Sequence, residues 1–177
     1  MNDTITINGY GALIEPATFK IERLLPASVE RIWSYLVDSD LRRKWLASGD
    51  LPLKAGAPFE FVWRNEELSS PPGQRPEGFP EEHSMKAEVV DVEAPNRLVI
   101  TWGTASEVTF ELSPQGQETL LTIIHRRLPD RGSILNVSAG WHMHMNVLDA
   151  RVSGREPDAF WNGWKRLKAE YEQRLPA

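Results

Sequence analysis

The feature that most constrains this chain is a row of large apolar residues at helical spacing near the C-terminus. At about 100° per residue, one face of the stretch that begins at Gly140 carries Trp141, Met145, Leu148 and Val152. Another face carries His142, Asn146 and Asp149. This pattern is typical of an amphipathic helix packed against a core. Such a broad apolar surface requires a broad apolar partner, which the preceding residues must supply.

A second helix is predicted within residues 155–177. After a break at 153–157, apolar residues recur at i, i+4, i+7 and i+11, at Phe160, Trp164, Leu167 and Tyr171. Trp161 lies about 100° from the Phe160 face. We therefore expect Trp161 to remain exposed once that face is buried, which makes it a candidate contact in a homodimer.

Most of the upstream sequence alternates between apolar and polar residues, as half-buried strands do. Predicted strands cover residues 18–25, 59–63, 84–92, 97–102, 107–112 and 119–128. Connections between the last four are short enough for antiparallel hairpins. The first 17 residues form either a short edge strand or an ordered tail. Residues 65–82 contain too many prolines to continue a sheet, so we expect a long exposed connection there.

Two short helices are predicted after the first strand. Ser28 can cap one helix, and the Asp38-Ser39-Asp40 run can cap another that carries Leu41 and Trp45. The element order predicts an α+β fold in which an antiparallel sheet of about six strands covers a long C-terminal helix. We expect one domain over residues 1–177.

Composition excludes several classes of function. A net charge of −5 argues against nucleic acid as a partner. The Arg42-Arg43-Lys44 run is interpreted as a solvated helix face. The chain contains no cysteine, so it has no disulfide or thiolate metal site. Neither a secretory signal nor an apolar run of about 20 residues is present. We therefore expect a cytoplasmic protein with no membrane insertion.

The order of several motifs resembles the START-like or Bet v 1-like (SRPBCC) superfamily, and within it the family of the Hsp90 ATPase activator C-terminal domain. The matching residues are 26–36, Leu41, Trp45, Gly56 with Phe59, 95–99 before Trp102, 121–125, and Gly140-Trp141. The resemblance implies a helix-grip fold with a curved sheet around the last helix and an elongated apolar cavity between them. The eukaryotic activator also has a separate N-terminal domain, which we do not expect in this chain.

Eight residues are candidates for the lining of such a cavity: Phe61, Trp63, Trp102, His125, Trp141, His144, Met145 and Leu148. His144 lies about 40° from Leu148 on a helix, where it either bonds to a neighbouring group or holds a ligand. His142 and His144 point about 200° apart, so they cannot chelate one metal ion. No glycine-rich phosphate loop is present, and we expect neither a metal nor a cofactor.

Three functions follow as hypotheses. The first is binding of an apolar small molecule, such as a lipid, a polyketide or another aromatic compound, in the cavity. The second is a cyclase or hydrolase that acts on a hydrophobic substrate there, with His144, His125 or a strand carboxylate as acid or base. The third is an interaction protein whose partner is a chaperone or a second copy of the chain.

Overall fold

A computed structural model describes residues 9–176 of the protein. Its strands are β1 (Ala12–Glu15), β2 (Thr18–Leu25), β3 (Pro58–Trp63), β4 (His83–Glu93), β5 (Arg97–Trp102), β6 (Ser106–Gln115) and β7 (Glu118–Arg126). The helices are α1 (Val29–Val37), α2 (Ser39–Arg42), α3 (Arg131–Ser153) and α4 (Phe160–Arg174), with a 3-10 turn at Asn65–Glu67. Within the described residues, no helix is both long and apolar enough to cross a bilayer.

The strands form one curved antiparallel sheet in the order β1-β2-β7-β6-β5-β4-β3. Alternation decides which side chains point inward, and the predicted inward faces of β2 and β3 are confirmed: Phe19, Ile21, Phe59, Phe61 and Trp63 are all buried. The α+β helix-grip fold is therefore confirmed. The sheet has seven strands rather than about six because residues 12–15 pair with β2. That a single domain spans 1–177 stays a prediction, and residues 1–8 of the N-terminal segment lie outside the described residues.

Both predicted short helices begin at the expected caps. Ser28 Oγ accepts a hydrogen bond from the Arg31 amide at 3.2 Å. Asp38 Oδ1 accepts from the amides of Asp40 and Leu41 at 2.9 and 3.1 Å. These bonds satisfy amides that have no partner within their own helix.

Arg42 is not part of a solvated face, so that interpretation of the basic run is wrong at this residue. Its side chain is fully buried. The guanidinium donates to the carbonyl oxygens of Leu36 at 3.0 Å and Ala47 at 3.1 Å, and also to that of Gly49. It lies 4.4 Å from the centre of the Phe61 ring. The loop after α2 folds back over the helix, and its carbonyl groups need the donors that Arg42 supplies.

Helix α3 is buried on two sides. The sequence predicts that the face with His142 is polar and exposed, and this differs from the structure. The helix begins at Arg131 rather than at Gly140, with Asp130 Oδ1 accepting from the Ser133 amide at 2.7 Å. His142 is buried because α4 packs along α3 and brings Tyr171 against it. Its Nδ1 lies 2.9 Å from the Tyr171 hydroxyl on α4.

The connection between β3 and β4 (residues 64–82) packs against the start of α4. Ser69 Oγ accepts from the Phe160 amide, and the Pro72 carbonyl accepts from the Trp161 amide, both at 2.9 Å. Leu68 and Ser69 are buried, whereas much of the rest of residues 65–82 is exposed, as the sequence predicts. Trp161 is also buried, at 5% exposure, beneath this connection. The expectation of an exposed Trp161 is therefore wrong.

Candidate functional site

The structure contains a cavity of about 440 Å³, here called the main cavity, between one end of the sheet, the 64–82 connection and the two long helices. Its lining residues come from four parts of the chain: Trp63, His83, Met85 and Trp102 from strands; Asn65, Phe79, Pro80 and Glu81 from the connection; Asn136, Gly140 and His144 from α3; Phe160, Trp161 and Trp164 from α4. Segments that are distant in sequence thus close around one space.

Aromatic rings form both long walls of the main cavity. On the sheet side, the ring centres of Trp63 and Trp102 are 5.4 Å apart. On the helix side, Phe79 lies 5.2 Å from Trp164 and 5.9 Å from Trp161. These separations are within the range of favourable tilted and edge-to-face contacts. The walls therefore support each other before any guest is bound.

One stripe of α3 lines the main cavity. Asn136, Gly140 and His144 follow each other at intervals of four residues, which places them on one helix face. Gly140 leaves space where any other residue would place a side chain, because a Cβ atom there would meet nothing closer than Trp164 Nε1 at 4.0 Å. The missing side chain helps to keep the cavity open.

A smaller space of about 170 Å³, here called the inner pocket, lies next to the main cavity. The two share Trp63, Trp102, Asn136, Gly140 and His144, and the inner pocket adds Leu46, Val137 and Trp141. The inner pocket extends the site from the helix α4 side towards the aromatic core. A guest larger than the main cavity alone has room to extend in that direction.

Four of the eight candidate residues line these spaces: Trp63, Trp102, Trp141 and His144. The other four, Phe61, His125, Met145 and Leu148, are buried in the core and do not line either space. For Met145 and Leu148, the reason is the rotation of α3. Its Met145 and Leu148 face is enclosed by the core, whereas the stripe that ends at His144 faces the opening.

His144 is held by a main-chain bond. Its Nδ1 lies 2.7 Å from the carbonyl oxygen of Trp45. A carbonyl oxygen only accepts, so Nδ1 carries the proton and Nε2 carries the free lone pair. Burial lowers the pKa of His144 to about 4, against the opposing effect of the Trp45 carbonyl. At neutral pH the ring is uncharged and presents one acceptor nitrogen.

His125 lies behind the tryptophan wall rather than on it. Trp141 Nε1 donates to His125 Nδ1 at 3.0 Å, which leaves the proton of the neutral ring on Nε2. Burial lowers the pKa of His125 to about 3. Its Nε2 is buried without a hydrogen-bond partner, and its ring lies 5.4 Å from that of Trp102. His125 therefore fixes the orientation of Trp141, which lines the inner pocket.

Two of the polar lining residues lie at the rim of the site. Glu81 and His83 line the main cavity and are exposed to solvent. No Lys or Arg is among the described residues that line either space. Among residues 9–176, no three His, Asp or Glu side chains come together in an arrangement that would hold a metal ion. The arrangement suits an uncharged guest better than an ionic one.

Sequence reasoning missed most of the helix-side wall. Phe79 lies in the proline-rich connection, where no periodicity marks it, and Phe160 and Trp161 belong to a helix predicted as a separate addition. One signal was available on α3. The four-residue spacing of Asn136, Gly140 and His144 predicts a shared face once the helix is known to begin before Gly140.

Solved structures of other proteins have the same fold. A protein encoded by gene BPP1335 of Bordetella parapertussis is 34% identical, with a TM-score of 0.79, and the alignment covers 100% of this chain and 97% of that one. CalU16 from Micromonospora echinospora is 21% identical with a TM-score of 0.64, covering 88% and 86%. DynU16, from the dynemicin biosynthetic locus, is 19% identical with a TM-score of 0.64, covering 81% and 49%. The latter two show the fold alone.

The family follows from a sequence comparison as well. No protein with a curated description matches this chain. Residues 26–153 match the model of the family described as "Activator of Hsp90 ATPase homolog 1-like protein". That range holds every strand from β3 to β7 together with α1, α2 and α3. Because the match covers most of the chain, the protein belongs to the activator of Hsp90 ATPase homolog 1-like family, within the START-like superfamily.

Proposed function

We propose that this protein binds an apolar small molecule, of the lipid, polyketide or aromatic class, in the main cavity. The observation that carries the proposal is a space of about 440 Å³ with aromatic side chains on both long walls. Small-molecule sites typically occupy roughly 300–1,000 Å³ and are mostly apolar with a few polar groups. His144 and Asn136 are such polar groups. The occurrence of the fold in DynU16, from the dynemicin biosynthetic locus, is in keeping with a small-molecule ligand.

A thermal-shift screen of apolar compounds, followed by calorimetry, tests the proposal. Gly140→Leu is the decisive variant, because its side chain would project into the main cavity from a position where a Cβ has room. We expect it to weaken binding at least about tenfold, a loss of roughly 1.4 kcal/mol. Gly132→Leu is the matched control, since Gly132 is an exposed residue in the first turn of the same helix.

Two results would contradict binding in the main cavity. One is a failure of every compound in the screen to raise the melting temperature of the wild-type protein. The other is unchanged affinity in Gly140→Leu, which would place the guest elsewhere. Native mass spectrometry of gently purified protein adds an independent readout, because a retained guest appears as additional mass.

The second candidate function is acid–base catalysis at His144, and one observation favours it. His144 lines the main cavity and keeps a ring nitrogen with a free lone pair. Its pKa of about 4 makes it a weak base at neutral pH. Binding is therefore the better supported role. A substrate whose turnover falls more than about a hundredfold in His144→Phe, within the usual range for a general base, would favour catalysis instead.

A homodimer built on Trp161 has less support. The indole packs against Phe79, Phe160 and Trp164 within the same chain, with ring centres 5.0 to 5.9 Å apart. A side chain enclosed in this way offers little surface to a second copy. Self-association, if light scattering detects it, would need another contact surface.

A further inference from the structure

The composition of the main cavity distinguishes between aromatic and aliphatic guests. Its apolar lining is dominated by rings, namely Trp63, Phe79, Trp102, Phe160, Trp161 and Trp164, against which only Pro80 and Met85 are aliphatic. An aromatic guest gains stacked or edge-to-face contacts of about 0.5–1.5 kcal/mol per ring pair beyond buried area. An aliphatic chain gains only from buried area. The walls therefore favour a flat aromatic compound over a fatty chain.

The charges around the cavity distinguish between neutral and anionic guests. No described lining residue of either space is Lys or Arg, and Glu81 places a carboxylate at the rim. The Lys168 ammonium lies 5.5 Å from the Trp164 ring centre but is not part of the lining. A carboxylate guest would lose its hydration without gaining a cation, and such burial is costly. Fatty acids and other acids are disfavoured.

The acceptor nitrogen of His144 favours a guest that donates a hydrogen bond. His144 Nδ1 is occupied by its bond to the Trp45 carbonyl. The bond at Nδ1 is the one hydrogen bond that His144 makes within residues 9–176, so Nε2, an acceptor in this tautomer, is available to a guest. A guest that fills the cavity without donating to this nitrogen would deprive it of water and leave it unpaired.

We propose that the ligands of this protein are uncharged, flat aromatic compounds with a hydroxyl or N–H group, which donates a hydrogen bond to His144 Nε2. The inference rests on the proposed function and narrows its ligand class. It excludes free fatty acids and aromatic carboxylates. The rings of the guest lie between the strand tryptophans Trp63 and Trp102 and the rings of α4.

Four probes separate these properties by calorimetry at neutral pH. 2-Naphthol is aromatic, uncharged and a hydrogen-bond donor, and 2-methoxynaphthalene has the same rings without the donor. 2-Naphthoate has the same rings with a negative charge. Laurate is an aliphatic anion. We expect 2-naphthol to bind about tenfold more tightly than 2-methoxynaphthalene, since a net hydrogen bond is worth up to about 1.5 kcal/mol. Both anions should bind at least about a hundredfold more weakly than 2-naphthol.

His144→Phe tests whether the difference in affinity between 2-naphthol and 2-methoxynaphthalene comes from His144 Nε2. The variant should bind 2-naphthol and 2-methoxynaphthalene with equal affinity, because the acceptor is replaced by a ring of similar size. His142→Phe is the matched control, since the same change is made on α3 at a residue that does not line the cavity, and the preference for 2-naphthol should persist. Should His144→Phe fail to fold, the probe contrast on the wild-type protein still decides.

Each alternative result overturns the inference. Equal affinity of the wild type for the two neutral probes removes the donor requirement, and tighter binding of laurate or 2-naphthoate removes the neutral aromatic class. Failure of all four probes also overturns it. The proposed function is tested separately, by the broad compound screen and Gly140→Leu. If the protein bound laurate in the main cavity, the proposed binding function would stand and only the proposed ligand class would be wrong.

Discussion

The hydroxyl oxygen of Ser69 accepts a hydrogen bond from the backbone amide of Phe160 at 2.9 Å. Together with the bond from the Trp161 amide to the Pro72 carbonyl, this contact joins the 64–82 connection to the first turn of α4. The N-cap residue of α4, Ala159, has no side-chain acceptor, so the helix takes its cap from a distant segment. The bond lies at the edge of the main cavity, because Phe160 is one of its walls. The same hydrogen bond therefore caps α4 and holds the connection against the main cavity.

Replacement of Ser69 should weaken this closure. We expect Ser69→Ala to lower the free energy of unfolding by about 1 kcal/mol, the usual cost of a lost helix cap. Ser69 also donates to the Pro71 carbonyl at 3.1 Å, so the change frees the connection as well. Urea denaturation followed by circular dichroism measures the loss. The control is Ser70→Ala at the exposed neighbouring serine, and an equal loss in both variants would contradict the cap.

Arg42 should be among the most sensitive charged residues to substitution. Arg42→Met keeps an apolar stem but leaves the carbonyls of Leu36, Ala47 and Gly49 without their donor. Because an unsatisfied buried acceptor costs about 1–3 kcal/mol, we expect a loss of about 3 kcal/mol or more. Arg43→Met removes an exposed ion pair to Glu67 and should cost less than about 1 kcal/mol. Denaturant titration of both variants makes the comparison, and similar losses would argue against the buried role.

Acid should destabilise the fold through its buried histidines. Burial lowers the pKa of His125 to about 3 and that of His144 to about 4, from 6.5. Burial, followed by Arg23, Arg166 and Arg174, lowers that of His142 to about 4. A lowered folded-state pKa means that the unfolded chain binds more protons between pH 6.5 and about 4. Each histidine then costs about 1.4 kcal/mol per pH unit as the pH falls through that window, and nothing above it.

The free energy of unfolding measured at several pH values checks this slope. His142→Phe should reduce it by the contribution of one proton, because that position no longer titrates. Asn136→Ala changes no titratable group and should leave the slope unaltered. A slope that is the same in wild type and His142→Phe would mean that this ring already accepts a proton in the folded protein.

Truncation of Trp161 should affect stability rather than assembly. We expect Trp161→Ala to cost about 3–5 kcal/mol, as large-to-small changes of buried aromatic residues do. Its oligomeric state should equal that of the wild type, because the ring is enclosed by its own chain. Light scattering at high concentration and denaturant titration measure the two effects. A change from dimer to monomer with little loss of stability would restore the exposed-interface hypothesis.

Local patterns predicted much of the fold. The strand Thr18–Leu25 has the predicted bounds, and Ser28 and Asp38 cap helices as expected. Alternation and capping depend on residues next to each other in sequence, so they can be read without the rest of the chain.

The sequence by itself determined an antiparallel sheet, a long aromatic helix against it and eight candidates for an apolar site, of which Trp63, Trp102, Trp141 and His144 line the two spaces. Only the tertiary structure decided that α4 packs against α3 and buries His142, and that the 64–82 connection covers Trp161. It also decided that Phe79, in a proline-rich segment, forms a wall of the main cavity. The physical reason is the separation of the interacting residues along the sequence. Periodicity is a local pattern that shows which face of an element is apolar. Packing between distant segments decides which of those faces meet and which leave a space.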